Sequence, residues 1–205
     1  MNQKPQDLTS LGYRLDQELD HSELVPFVKA NLRKINPVSI FYWTFNTAVV
    51  AALIVFLVQE ERLPVLEAIT KLFLGVFIFF VILLPIHELI HGFFYKAAGA
   101  QNVQFTAHWR TLVFYCLADN FVADSKSFLV VALTPFLIIN SVLIGLMFFA
   151  SPTLFYSLFG ALLIHTGGCF GDFGLVSYFY ENRQRKPVTY DDAQAKKSYF
   201  LLRSA

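Results

Sequence analysis

The chain has 205 residues, of which 56% are hydrophobic and 15% charged, and its mean hydropathy is +0.52; an ordinary soluble domain carries about 25% charged residues. A formal net charge of +1 supplies none of the basic surface that neutralising a phosphate backbone requires, which excludes a nucleic-acid partner. Two cysteines, Cys116 and Cys169, in apolar settings are too few for a disulfide framework and read as reduced thiols.

The N-terminal segment mixes Asp16, Glu18, Asp20, Glu23 and Lys29 with polar residues and lacks the apolar core of a cleaved signal peptide, so membrane insertion is expected from later helices. Crossing a hydrocarbon layer of roughly 30 Å takes about 20 apolar residues. Four segments meet that length: Ser39 to Val58, Leu72 to about Ala98, Phe128 to Ala150, and Leu154 to Tyr180. The spacing predicts a mainly α, polytopic membrane bundle of about four transmembrane helices. Its expected parts are a cytoplasmic N-terminal segment (1–38), a membrane-embedded domain (39–180) and a basic cytoplasmic tail (181–205).

Between the second and third helices the pattern changes period. Val103, Phe105, Ala107 and Trp109 alternate with Gln104, Thr106, His108 and Arg110, the signature of a half-buried strand, and Leu112 to Leu117 continues as a β-prone run. A small β-hairpin is expected there.

Lys and Arg set the orientation, because cytoplasmic loops carry an excess of them. Lys4, Arg14, Lys29, Arg33 and Lys34 precede the first helix; Lys96, Arg110 and Lys126 follow the second; Arg183, Arg185, Lys186, Lys196, Lys197 and Arg203 follow the fourth. The other side has only Arg62 and Lys71. A multi-pass protein of the cell membrane with both termini in the cytoplasm is expected.

The second helix carries His-Glu-Leu-Ile-His at 87 to 91. Residues four apart on a helix lie one above the other, so His87 and His91 present two imidazoles to one point, with Glu88 beside them. Neutral imidazoles suit Zn2+, and a zinc with an open position lowers the pKa of its water toward ~7, leaving Glu88 as general base. An acidic side chain inside a membrane helix costs about 2.5 to 3.5 kcal/mol on insertion scales, so intramembrane His and Glu are expected to serve a function.

A catalytic zinc usually takes a third protein ligand. His87 lies ~22 Å along its helix from Leu72, and Asp172 ~27 Å from Leu154 on a helix running the same way, which puts both at comparable depth. Asp172 is the leading third ligand, followed by His165 and then Cys169. Gly167, Gly168, Gly171 and Gly174 around it would allow close approach of a metal or another helix. Pro85 and Pro135 would loosen helix packing and admit water. His108 falls on the polar side of the expected strand, where exposure is the default, and His21 lies in the polar N-terminal segment.

The His87 to Gly92 run, the Tyr115-Cys116 pair, Leu133-Thr134-Pro135-Phe136 and Gly168 to Asp172 together resemble the zincin peptidase family of small integral membrane proteins, and more distantly the site-2 protease class of intramembrane zinc metalloproteases. That resemblance implies zinc held by His87, His91 and Asp172, Glu88 as base, and hydrolysis of peptide bonds in membrane-associated proteins. Site-2 proteases pair a Gly-Pro with an Asn three residues after the proline; here Asn140 follows Pro135 by five, and an interhelical hydrogen bond is its alternative role. The same polar residues would also serve a non-catalytic zinc-binding scaffold or regulator, or a zinc or proton relay.

Overall fold

A computed structural model describes residues 4–59, 63–108 and 113–204. Where the sequence runs apolar the chain is helical. Helix α1 spans Leu24–Leu32, α2 Pro37–Gln59, α3 Val65–Ile78, α4 Leu84–Ala97, α5 Ser125–Met147, α6 Pro152–Gly168 and α7 Phe170–Glu181. Four continuous stretches, Pro37–Gln59, Val65–Ala97, Ser125–Met147 and Pro152–Glu181, are long and apolar enough to cross a membrane. The second starts ahead of the uncharged run and takes in Glu67 and Lys71 in its first turns. Asp124 caps α5 by accepting from the Ser127 N–H at 2.8 Å, and Ser151 caps α6.

The first two of these stretches leave most of their surface outside the protein core. Phe73, Phe77 and Phe93 are 70%, 63% and 67% exposed, and Ile54, Val55 and Val81 at least half. So much apolar surface is unfavourable in water and suits lipid. The third and fourth stretches form the interior: Val131, Phe136, Ile139 and Leu143 of α5 and Phe159, Ala161 and Leu162 of α6 are buried. Helices α3 and α6 approach with almost no spacing, since a Cβ on Gly160 would collide with the Leu72 carbonyl and one on Gly75 with the Ser157 carbonyl. Small residues let membrane helices pack backbone to backbone in this way.

Two helices are interrupted. Between α3 and α4 the turn Phe79–Leu83 is π-helical, with the Leu84 N–H bonded to the Phe79 carbonyl. Pro85 follows at once and has no N–H for the ordinary bond, so a widened turn is a low-cost way through. The fourth stretch breaks at Cys169, which ends α6 and begins α7.

The hairpin expected between the second and third membrane helices is present as β2 (Asn102–His108) and β3 (Val113–Asp119), paired antiparallel with Phe105 opposite Cys116. The expected Trp109 to Leu112 portion, the side chain of His108, and Arg62 lie outside the described residues. The hairpin belongs to a larger sheet. Strands β1 (Tyr13–Asp20), β5 (Val188–Asp192) and β6 (Lys197–Arg203) join it in the order β1-β6-β5-β3-β2, and the short β4 (Ala123–Asp124) pairs with β5. Segments before the first membrane helix, between the second and third, and after the fourth therefore meet at one end of the helix bundle. Phe128 and Phe179, stacked at 4.3 Å, join α5 and α7 beneath the sheet.

Candidate metal centre

His87 and His91 are buried on α4, and their Nε2 atoms lie 3.0 Å apart. Asp172, in the first turn of α7, places Oδ2 3.3 Å from His87 Nε2 and Oδ1 3.3 Å from His91 Nε2. The three side chains meet around one point from two helices, and His87, His91 and Asp172 form a set able to hold a metal ion. The break at Cys169 starts a new helix just before Asp172.

Hydrogen bonds on the far sides of the rings decide what the near sides offer. His91 Nδ1 lies 2.9 Å from the Val131 carbonyl, which can only accept, so Nδ1 carries a hydrogen and, in the neutral imidazole a metal requires, Nε2 is a lone pair. Val131 is four residues before Pro135. A carbonyl at that position normally receives the helix bond from residue i+4, but Pro135 has no N–H to donate. The proline inside α5 thereby leaves the oxygen that orients His91. His165 Nδ1 donates to Asn140 Oδ1 at 2.7 Å, which leaves its Nε2 to accept from His87 Nδ1 at 3.1 Å. His87 Nε2 is then also a lone pair. Such outer partners fix tautomer and ring orientation in metal sites.

In the neutral rings, two lone pairs 3.0 Å apart that also face a carboxylate repel one another unless a proton or a metal cation lies between them. Four ligands at zinc distances of 2.0–2.1 Å stand about 3.3 Å from one another in a tetrahedron. The separations of 3.0, 3.3 and 3.3 Å match that spacing, and the nitrogen and oxygen donor set suits zinc, so the residues fit the ion.

His165 and Cys169 make a second grouping with His87. In it His87 contributes its other nitrogen, and the Cys169 Sγ lies 3.9 Å from His165 Nε2. His165 lines the central cavity, whereas Cys169 does not. Asn140 reaches the centre only through its hydrogen bond from α5 to His165 on α6. Of the glycines around Asp172, only Gly174 packs tightly, and its neighbour is the Val28 backbone of α1 at 2.5 Å from a Cβ built there.

Glu88 lines the same cavity as His87, His91 and Asp172. The Cys116 backbone on β3 hydrogen-bonds its carboxylate, while Oε2 is buried and has no partner among the described residues. A cavity of about 350 Å³ joins Glu88, His87, His91 and Asp172 to Tyr115 and Cys116 of β3 and to His21 of the N-terminal segment. His21, half-buried, is thus part of the cavity wall. Two things point to it only in three dimensions: the pairing of β1 with β6 and the packing of α1 on α7.

Fold and centre together define a helical protein with four membrane-length apolar segments and a metal-competent His-Glu-Leu-Ile-His helix facing a cleft. The family described as "Putative zincin peptidase" matches residues 80–186, more than half of the chain, and the chain belongs to that family. No match is found among curated proteins or among solved structures.

Engaging the orienting oxygen in a helix bond is a direct test of the Pro135 arrangement. Pro135→Ala restores an N–H that competes for the Val131 carbonyl, and zinc affinity is expected to fall by roughly 10- to 100-fold, as for other outer partners. Competition titration with a chromogenic chelator reads this; unchanged affinity together with a folded protein would refute it.

Proposed function

We propose that the protein is an intramembrane zinc metallopeptidase that hydrolyses peptide bonds of membrane-associated proteins from the cytoplasmic side of the cell membrane. The observation that carries this reading is the pair of Nε2 lone pairs and the Asp172 carboxylate meeting beside a buried carboxylate oxygen that has no partner among the described residues. His87, His91 and Asp172 would hold the zinc. The ion, when bound, supplies Lewis-acid polarisation of a scissile carbonyl and lowers the pKa of water.

The remaining chemistry belongs to the chain. Glu88 takes a proton from the attacking water on Oε2 and returns it to the leaving amine nitrogen, while the Cys116 backbone holds the other side of the carboxylate in place. Val131 and the Asn140–His165 pair keep both imidazoles turned toward the centre. The apolar walls of the cavity, Leu84, Val131 and Leu175 among them, limit bulk water around the reacting groups.

Strand β3 supports a peptide site. It pairs with β2 along one edge, but along the other, among the described residues, it meets β5 only at Asp119 opposite Asp191. Tyr115 and Cys116 of this second edge line the cavity, and the Cys116 backbone contact with Glu88 lies on it. An unwound segment added there as a strand would bring a backbone carbonyl past Glu88, the β-augmentation mode of recognition. The excess of Lys and Arg at the sheet end supports placing that end in the cytoplasm.

The test is metal-dependent cleavage by the full chain in liposomes, using a membrane-anchored reporter with an unstructured segment next to its span. One zinc per chain is expected, with cleavage lost on chelation and restored by zinc. Bound zinc without cleavage would favour the non-catalytic scaffold, and zinc flux without cleavage a transporter.

A further inference from the structure

His21 lies far ahead of the metal helix in the chain and outside residues 80–186 that match the family, yet it lines the same cavity as His87, Glu88, His91 and Asp172. It is held there from both sides. Before it, β1 pairs with β6 through Asp20 opposite Lys197, and the His21 N–H bonds the Lys196 carbonyl at 3.0 Å. After it, α1 is clamped to α7, where Val28 packs on Gly174 and the Ser177 hydroxyl donates to the Asn31 carbonyl at 2.8 Å. The Glu23 carboxylate also accepts from the Asp20 N–H at 3.1 Å, closing the turn that presents the ring.

The ring packs edge-on against Tyr115 of β3, with centroids 5.4 Å apart. Tyr115 precedes Cys116, whose backbone holds Glu88. Burial lowers the His21 pKa below its ordinary value. In the neutral ring with its hydrogen on Nδ1, Nε2 bears a lone pair, and this atom is buried with no partner among the described residues. A buried acceptor left unpaired is unfavourable until something donates to it. Such an acceptor across from the β3 edge complements the backbone N–H of an extended chain, which presents donors on alternate residues.

We infer that His21 is a substrate-positioning residue, whose Nε2 accepts a hydrogen bond from one backbone N–H of a peptide lying extended along the β3 edge. The inference rests on the peptidase reading and adds the N-terminal segment to the peptide site. Tyr115 sets the angle of the imidazole, and the sheet fixes its distance from the strand. The contact selects extended backbone over helix, because a helical substrate has its N–H groups tied to its own carbonyls.

The experiment uses the full chain in detergent with Glu88→Gln, so that peptide is bound and not consumed. The probe is a short fluorescein-labelled peptide of unstructured sequence, together with a set in which single amides are N-methylated. His21→Phe keeps a ring against Tyr115 and removes the acceptor. It is expected to weaken peptide binding by about three- to tenfold, the range for one neutral hydrogen bond, with zinc content unchanged. One N-methylated peptide should lose the same factor against the protein with His21 intact and nothing further against His21→Phe, and His21→Gln should recover part of the affinity. Equal affinity of the protein with and without the His21→Phe change, or an N-methyl effect that persists in His21→Phe, overturns the inference and leaves the peptidase reading standing. Absence of any peptide binding by a zinc-loaded chain overturns both.

Discussion

Glu88→Gln should abolish peptide hydrolysis while leaving zinc in place. Glutamine has the same shape as glutamate and retains an oxygen for the Cys116 backbone, but its amide has no basic oxygen to take a proton from water. General-base catalysis contributes roughly 10²- to 10⁴-fold, so kcat should fall by about that range in the reporter assay. Zinc measured by elemental analysis should stay at its original stoichiometry, because the ligand set proposed is His87, His91 and Asp172. The unpartnered Oε2 is central to this expectation. A carboxylate present only for structure would have satisfied both oxygens, since a buried acceptor without a partner costs stability. Near-normal cleavage by the Gln variant would remove Glu88 from the mechanism. Loss of zinc would instead make it a ligand or a determinant of the site's shape.

The second large effect is expected from Asp172→Ala. Both carboxylate oxygens face a ring nitrogen at 3.3 Å, so the substitution removes the only negative charge on the proposed ligand set. Zinc affinity should drop by more than the roughly 100-fold that the loss of an outer partner can cost, and stoichiometric zinc should disappear from purified protein. His87→Ala and His91→Ala should do the same. Cys169→Ala decides between the two groupings of donors around His87. Retained zinc in Cys169→Ala with loss in Asp172→Ala supports the centre described above; the opposite result would move the ion to His87, His165 and Cys169, on the other side of the His87 ring. His165→Ala is less discriminating, because that residue also orients His87 through Nδ1.

The most sensitive chemistry lies where three layers of the molecule meet. The metal helix supplies two rings and a carboxylate, α5 and α7 supply an orienting carbonyl and an acid, the sheet supplies a strand edge, and the turn between β1 and α1 supplies His21. The N-terminal segment is therefore part of the site's architecture. Its clamp on α7 lies two residues from Asp172, at Gly174, where any side chain would collide with the Val28 backbone. A change that loosens α1 would disturb a proposed ligand and the peptide site together.

The local features of this arrangement were legible in sequence. Long apolar runs imply membrane helices because a bilayer imposes one length, and spacing of four brings His87 and His91 to one face because the helix has one pitch. The same rise per residue placed Asp172 at comparable depth, and period-two alternation marked the β2 and β3 hairpin. Each of these follows from residues within a single helix or hairpin. Tertiary structure alone decided the rest. The role of Pro135 depends on which ring lies opposite the carbonyl it leaves free, so a reading of the proline by itself suggested only loosened packing. The close contacts of Gly75 and Gly160 depend on which helices are neighbours, and the glycines beside Asp172 were the more conspicuous in sequence. Strands β1, β5 and β6 become a sheet only when β1, near one end of the chain, pairs with β6 near the other. His21 shows the limit most plainly: a polar residue in a polar segment gives no local sign of function, and only long-range pairing brings it to the wall of the cavity.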